Sequence, residues 1–252
     1  MIPHPFRRLQ ETGVLGMNTR NAEIIMAKNP RSRFPLVDNK VVTKELAALQ
    51  GIPTPEMYGV IMKHGDVKRL DSIIRDRDSF VVKPARGSGG SGIVLVKERN
   101  ETDLITESGR TITITGLRYH VADILSGVFS LEGHDDQAII EALIHPDDIF
   151  TPVTYRGVPD IRVVVYRGVP IMAMVRLPTA ASDGKANLHG GAIGAGIDLA
   201  RGLTITAVHR SSIVTHHPDT GNPVSGINVP HWEEMLLMAA RSLEMTGLGY
   251  IG

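Results

Sequence analysis

Cysteine is absent from all 252 residues, which excludes disulfides, thiolate metal sites and cysteine nucleophiles together and fits a reducing compartment. Charge of one sign is lacking too, since 27 Lys and Arg balance 27 Asp and Glu. There is no electrostatic surplus to drive sequence-independent binding to nucleic acid or to an anionic membrane. No apolar run approaches the roughly 18 residues of a membrane span, and the opening MIPHPFRRLQETG has arginines but no apolar core of a signal peptide. The expectation is a soluble, cytoplasmic chain. What remains is 42% hydrophobic, enough to bury a core in one large domain or two modest ones.

Glycine is what stands out, and it is concentrated. The stretch Lys83–Val96, KPARGSGGSGIVLV, puts Gly87, Ser88, Gly89, Gly90, Ser91 and Gly92 between two β-branched runs. Gly87, Gly89 and Gly92 fit G-x-G-x-x-G, and Val94 extends the match to the kinase form G-x-G-x-x-G-x-V. A dinucleotide fingerprint must open a helix, and Ile93-Val94-Leu95-Val96 is a poor helix start. A Walker loop ends in Gly-Lys-Ser/Thr, whereas here the lysine comes first. A glycine hairpin closing over nucleotide phosphates fits strand, loop and strand, because bare backbone N–H groups can approach an anion. His-Arg-Asp and Asp-Phe-Gly, which a kinase needs, do not occur. A ligand-free hairpin is the alternative on this segment alone.

Lys83 lies four residues before the first glycine, where its ammonium can reach under the flap to a phosphate oxygen; a solvated strand-end lysine is the plainer reading. Asp38–Gly51 reads as a helix capped by Asp38 and stopped by Gly51 and Pro53, carrying Lys40 and Lys44. Strands are expected at Tyr58 to Met62, Phe80 to Lys83, Ile93 to Val96 and Ala138 to Ile144, with helical stretches at Lys68 to Arg77 and Leu117 to Leu131. Asp160 to Tyr166 and Ile171 to Leu177 read as a hairpin. Period two puts Asp160 and Arg162 on one face of its first strand, the ordinary place for such charges being the surface. A three-residue loop at Arg167 to Val169 brings Arg176 opposite Asp160, and a two-residue loop turns it away. Tyr-Arg-Gly-Val-Pro occurs twice, at 155 to 159 and 166 to 170, which two turns flanking one strand explain. Lys185-Ala-Asn187-Leu-His189-Gly-Gly-Ala-Ile-Gly-Ala-Gly196 reads by itself as an exposed loop. A last helix over His231 to Thr246 places Trp232, Met235, Leu236, Ala239 and Leu243 on one face, with Gly247 as its stop.

In this order the pieces resemble the ATP-grasp carboxylate–amine ligases, most closely the alpha-L-glutamate ligase-related proteins, kin of the ribosomal-protein glutamate ligases. The resemblance spans nearly the whole chain. It is carried by FVVKPARGSGGSGI, PDIRVVVYRGVPIMAMVRLPT and SDGKANLHGGAIGAGID, with LVDNKVVTKELAALQGIPTPE, AIIEALI and LEMTGLGYIG consistent with it. It implies an α+β ATP-grasp architecture: a short N-terminal segment and helix over 1–62, a lid over 63–140, and an incomplete core over 141–252. It implies ATP and Mg²⁺ as cofactors, and small-molecule or peptide carboxylates and amines as substrates. Lys40, Lys83 and the glycine lid would hold ATP. Glu141 and Ala142 would meet adenine through backbone groups, Asp160 would lie near the ribose, and Lys185, Asn187 and His189 would line the nucleotide. Arg162 and Arg176 would serve the transferred phosphoryl group or the substrate carboxylate. The family's Mg²⁺ ligands, an Asp and a Glu-x-Asn, fall beyond Gly252. The resemblance therefore implies either a fragment of a longer ligase or a degenerate relative that binds nucleotide without catalysis.

Overall fold

The computed structural model describes residue 8 and residues 11–87, 89–100, 103–130 and 133–252. Two six-stranded sheets, each built wholly from antiparallel pairs, organise the chain. In the first sheet β1 (Met57–Ile61) forms one edge beside β6 (Ala138–Glu141). Then come β2 (Phe80–Pro84), β3 (Val94–Arg99), β4 (Asp103–Thr106) and β5 (Thr111–Thr113). In the second sheet the order is β11 (Ser212–Val214), β10 (Leu203–His209), β9 (Ile193–Asp198), β8 (Val169–Leu177), β7 (Asp160–Tyr166) and β12 (Tyr250–Ile251). Residues 63–140 supply β2 to β5 and all of β6 but Glu141 to the first sheet, and β1, from before residue 63, forms its edge.

Three longer helices dress these sheets: α1 (Lys40–Leu49), α2 (Ile114–Leu125) and α3 (Trp232–Thr246). Asn39, not Asp38, caps α1, its side-chain oxygen accepting from the Val41 N–H at 2.9 Å. Asp38 instead closes a preceding short helix, Pro35–Asp38. The expected helix at Lys68 to Arg77 shrinks to a 3₁₀ segment, His64–Arg69, followed by one turn, Leu70–Ile73. Thr113 starts α2 earlier than expected by accepting from Gly116 at 3.0 Å, and the helix ends at Leu125. The expected end, Leu131, lies outside the described residues.

Alternation decides which side chains reach the cores. Phe80 and Val82 of β2 join Ala138 and Ile140 of β6 under α2, whose Leu117, Val121 and Ile124 are fully buried there. The opposite face of those two strands then carries Lys83 and Glu141. In the second sheet Val175, Leu177, Ile193, Ala195 and Ala207 pack with Trp232, and Met235 and Leu236 of α3 lie against them. Their alternates, Arg176, Gly194 and Gly196, point away from that core. The tract expected as an exposed loop is therefore half strand. Isoleucine and alanine at every second position bury one face of β9, while glycine leaves the other bare.

The β7–β8 hairpin resolves its register by an unexpected route. Tyr166 pairs with Val169 across a two-residue turn, yet Asp160 still faces Arg176 because the register slips by one residue next to Val165. A β-bulge thus restores what the short turn would have reversed. Both turn residues have positive φ, Arg167 at 51° and Gly168 at 80°, and the repeated Arg156 and Gly157 show 50° and 67°. Both copies of the pentapeptide thus place Arg and Gly in the left-handed conformation, in a hairpin turn at 166–169 and in a bend at 155–157.

Asn29, only 7% exposed, works as a surrogate strand for the C-terminal segment. Its Nδ2 donates to the Tyr250 carbonyl at 2.7 Å and its Oδ1 accepts from the Tyr250 N–H at 2.9 Å. Beside it the Gly249 N–H donates to Lys28 O at 3.0 Å. Asn29→Ala is expected to lower stability by about 1–2 kcal/mol, since it removes both hydrogen bonds from a half-buried backbone unit. Urea denaturation of the two proteins measures this, and coincident curves would refute it.

Candidate functional site

The glycine loop joins β2 to β3 and is fastened at its base. Both carboxylate oxygens of buried Asp136 accept from the Arg86 N–H, at 3.0 and 3.1 Å. Past the loop, the Gly92 carbonyl accepts from His120 Nε2 of α2 at 2.8 Å. A carbonyl only accepts, so the proton sits on that nitrogen. Between these anchors Gly89, Gly90 and Gly92 have φ of 63°, 81° and 74°, a conformation that β-branched residues resist. Ser88 lies outside the described residues.

Lys40 and Lys83 converge beneath the loop. They line a small cavity of about 130 Å³ together with Gly87, Gly89, Gly90 and Ser91. Lys40 Nζ donates to Gly87 O at 2.7 Å and to Ala85 O at 3.2 Å, which holds the loop down on the lysines. Burial first, and then repulsion from Lys83, push the Lys40 ammonium below its ordinary pKa, against the pull of Asp136 and Glu141. A place where positive charge is crowded is a place where an anion is stabilised. The cavity is smaller than the roughly 300–1,000 Å³ of ordinary ligand sites, so a ligand larger than a phosphate group requires the loop to lift.

Glu141 lies at the back of this arrangement, 4% exposed. Its Oε1 pairs with Lys83 and its Oε2 with Lys44 Nζ, at 2.8 Å. Ala142 donates its N–H to Glu56 O at 2.8 Å, continuing the β1–β6 ladder. Across from the loop stand Asn187 and Lys185: a Cβ on Gly89 would lie 3.7 Å from Asn187 Nδ2, and one on Gly90 3.7 Å from Lys185 Cδ. Asn187 Oδ1 accepts from the His189 N–H at 3.1 Å, and His189 itself is exposed. The segment before Lys185 is held by one buried hydrogen bond and one exposed one. His217 Nε2 donates to Pro178 O at 2.9 Å, and the Ala180 N–H donates to Asp219 Oδ2 at 2.8 Å.

Arg176 makes a bidentate pair with Asp160, Nε lying 2.5 Å from Oδ1 and the second contact joining Nη2 to Oδ2. Arg162 is exposed. The two arginines line a second groove, of about 390 Å³, with Met235 and Ser242 of α3. The loop, Lys40, Lys83, Lys185 and Asn187 thus come together, while Arg162 and Arg176 open on a different recess. Sequence reasoning did not assign Lys44, Asp136, His120, His217 or Asp219. Only Lys44 carried a signal, its position four residues after Lys40 on one helix face.

Residues 19–252 match the sequence model of the sugar-transfer associated ATP-grasp proteins. The chain belongs to that ATP-grasp family. Its two sheets and their helices are accordingly the α+β ATP-grasp fold. Among solved structures this ATP-grasp chain is similar to D-alanine–D-alanine ligase from Bacillus anthracis, with 14% identity and a TM-score of 0.45, covering 88% of this chain and 53% of that one. It is also similar to the ATP-grasp ligase PsnB complexed with a minimal precursor, with 13% identity and a TM-score of 0.40, covering 88% and 48%. The chain spans about half the length of both. D-cycloserine synthetase DcsG matches with 14% identity and a TM-score of 0.38, covering 85% and 72%. No curated protein sequence matches. The family assignment rests on the match over 19–252 and not on these likenesses. No helix among the described residues is long and apolar enough to cross a membrane.

Proposed function

We propose that this chain binds ATP under the glycine loop and serves ATP-dependent ligation of a carboxylate to an amine, with an amino acid of the glutamate kind as one partner. The observation that carries the reading is the convergence of Lys40 and Lys83 beneath a positive-φ glycine hairpin that faces Lys185 and Asn187. In this reading the two lysines and the N–H groups of Gly87 to Gly92, Ser88 and Ser91 included, hold phosphates. Glu141 and Ala142 border the adenine, Asp160 the ribose, and Lys185, Asn187 and His189 the open side. Arg162 and Arg176, which line the separate groove beside α3, take the substrate carboxylate, or the phosphoryl group once the two recesses meet around a bound nucleotide.

A carboxylate is a poor acyl donor because its leaving group would be oxide. Attack of a carboxylate oxygen on the γ-phosphorus breaks the bond to the β-phosphate oxygen and releases ADP, leaving an acyl phosphate. The amine then adds to the acyl carbon, inorganic phosphate departs, and the amine's proton is lost as the amide forms. Lysine and guanidinium charge offsets what develops on the equatorial phosphoryl oxygens, an effect worth several kcal/mol, on the order of a thousandfold in rate. The closed loop keeps water from the acyl phosphate. Mg²⁺ is part of the reading, but among the described residues no group of three or more acidic or imidazole side chains comes together to hold a metal.

The test is ADP release, with Mg²⁺ supplied, from mixtures of carboxylates and amines, glutamate foremost. ADP that appears only when both partners are present, with an amide found by mass spectrometry, is the expected result. ATP binding without partner-dependent ADP would make the chain a nucleotide-binding module, and no binding at all would end the reading.

A further inference from the structure

The carboxylate of Glu141 has two cationic neighbours. Its side chain is 5% exposed, Lys83 hydrogen-bonds one oxygen, and Lys44 Nζ lies 2.8 Å from the other as an ion pair without hydrogen-bond geometry. Lys44 is not poised for a ligand. It is 10% exposed, its Nζ donates to Pro55 O at 2.6 Å, and it is absent from the walls of the cavity under the loop. Lys83 does form part of those walls. An anion arriving there competes with Glu141 for the Lys83 ammonium. If Lys83 turned to it with no other cation near, Glu141 would be left as a buried, unpaired charge, one of the least tolerated states of a protein interior. Lys44 removes that obstacle, because the carboxylate keeps one partner throughout.

We propose that Lys44 is a positioning residue for nucleotide binding: it holds the charge of Glu141 so that Lys83 is free to pass to a phosphate. The inference rests on the nucleotide reading above and adds to it a residue that touches no ligand. Lys40 and Lys44 divide the work of one helix face. The first holds the loop and the second releases the lysine beneath it.

The experiment measures ATP affinity by calorimetry and adenosine affinity by competition, for the wild type, Lys44→Met, Glu141→Gln and the double variant. Lys44→Met is expected to weaken ATP binding by roughly tenfold or more and to leave adenosine unchanged, since adenosine asks nothing of Lys83. Glu141→Gln in the same chain is expected to restore most of the ATP affinity, because a neutral amide does not need to retain the lysine. Equal loss for both ligands would show a packing role and overturn the proposal, as would no loss, or a loss that the second substitution leaves in place. If Lys44→Met alone does not fold, Glu141→Gln is compared with the double variant. Equal ATP affinities support the proposal and a further loss overturns it. A wild type that binds no ATP removes the nucleotide reading itself. A wild type that binds, is weakened by Lys83→Ala and is indifferent to Lys44→Met removes only this inference.

Discussion

Gly92→Ala is expected to destabilise the chain by about 2–5 kcal/mol, and Gly89→Ala or Gly90→Ala by only about 1–2. All three positions have positive φ, so each alanine bears the strain of a left-handed conformation. The difference lies in what a methyl group would meet. At Gly92 it would lie 2.6 Å from Cγ of the Phe129 ring, which packs tilted against His120. At Gly89 and Gly90 the nearest atoms are side-chain atoms of Asn187 and Lys185 at 3.7 Å. A methyl group at Gly92 would displace the Phe129 ring, whereas at Gly89 and Gly90 it would meet only side-chain atoms in ordinary contact. Thermal unfolding without nucleotide separates them, with a drop on the order of 10 °C expected for Gly92→Ala. ATP titration reverses the order, since alanine at the tip crowds the phosphates without loosening the fold. If the tip variants melt as early as Gly92→Ala, the whole loop is structural and its glycines say nothing about a ligand.

Much of this loop was readable beforehand because its meaning is local. Strand, glycines and strand follow from composition and period two, and so does the placing of Lys83 on the face away from the α2 core. The β7–β8 register was legible only as a choice between two loop lengths. The structure takes neither simple route, since a two-residue turn is followed by a bulge beside Val165 that shifts the register back. The tract at 185–196 misled for a related reason. Its glycines look like loop in one dimension, and only burial of Ile193, Ala195 and Ile197 beneath α3 and Trp232 makes a strand of its second half. Asp136, His120 and His217 left no trace in the sequence, because each acts on a backbone group 28 or more residues away. Glu141 was marked for its backbone, whereas the structure draws attention to its carboxylate, and nothing in AIIEALI foretells two lysines from separate elements closing on it.

That carboxylate sets up the largest expected effect on binding. Lys83→Ala is expected to weaken ATP affinity by about 1.5–3 kcal/mol, roughly 10- to 150-fold, the range for a charge-assisted contact to an ionised group. Folding should suffer far less, because Glu141 keeps Lys44 as its partner when Lys83 is gone. The sign of the neighbouring effect follows from the same charges. Lys83 is among the causes that push the Lys40 ammonium below its ordinary pKa, so its removal relieves that repulsion. Calorimetric titration at one fixed ionic strength decides the matter, since a comparison across different salt concentrations would mix in screening. Equal ATP affinities for wild type and Lys83→Ala would make the lysine a counter-ion of Glu141 and nothing more. The cavity beneath the glycines would then lose the cation that argues most directly for a phosphate.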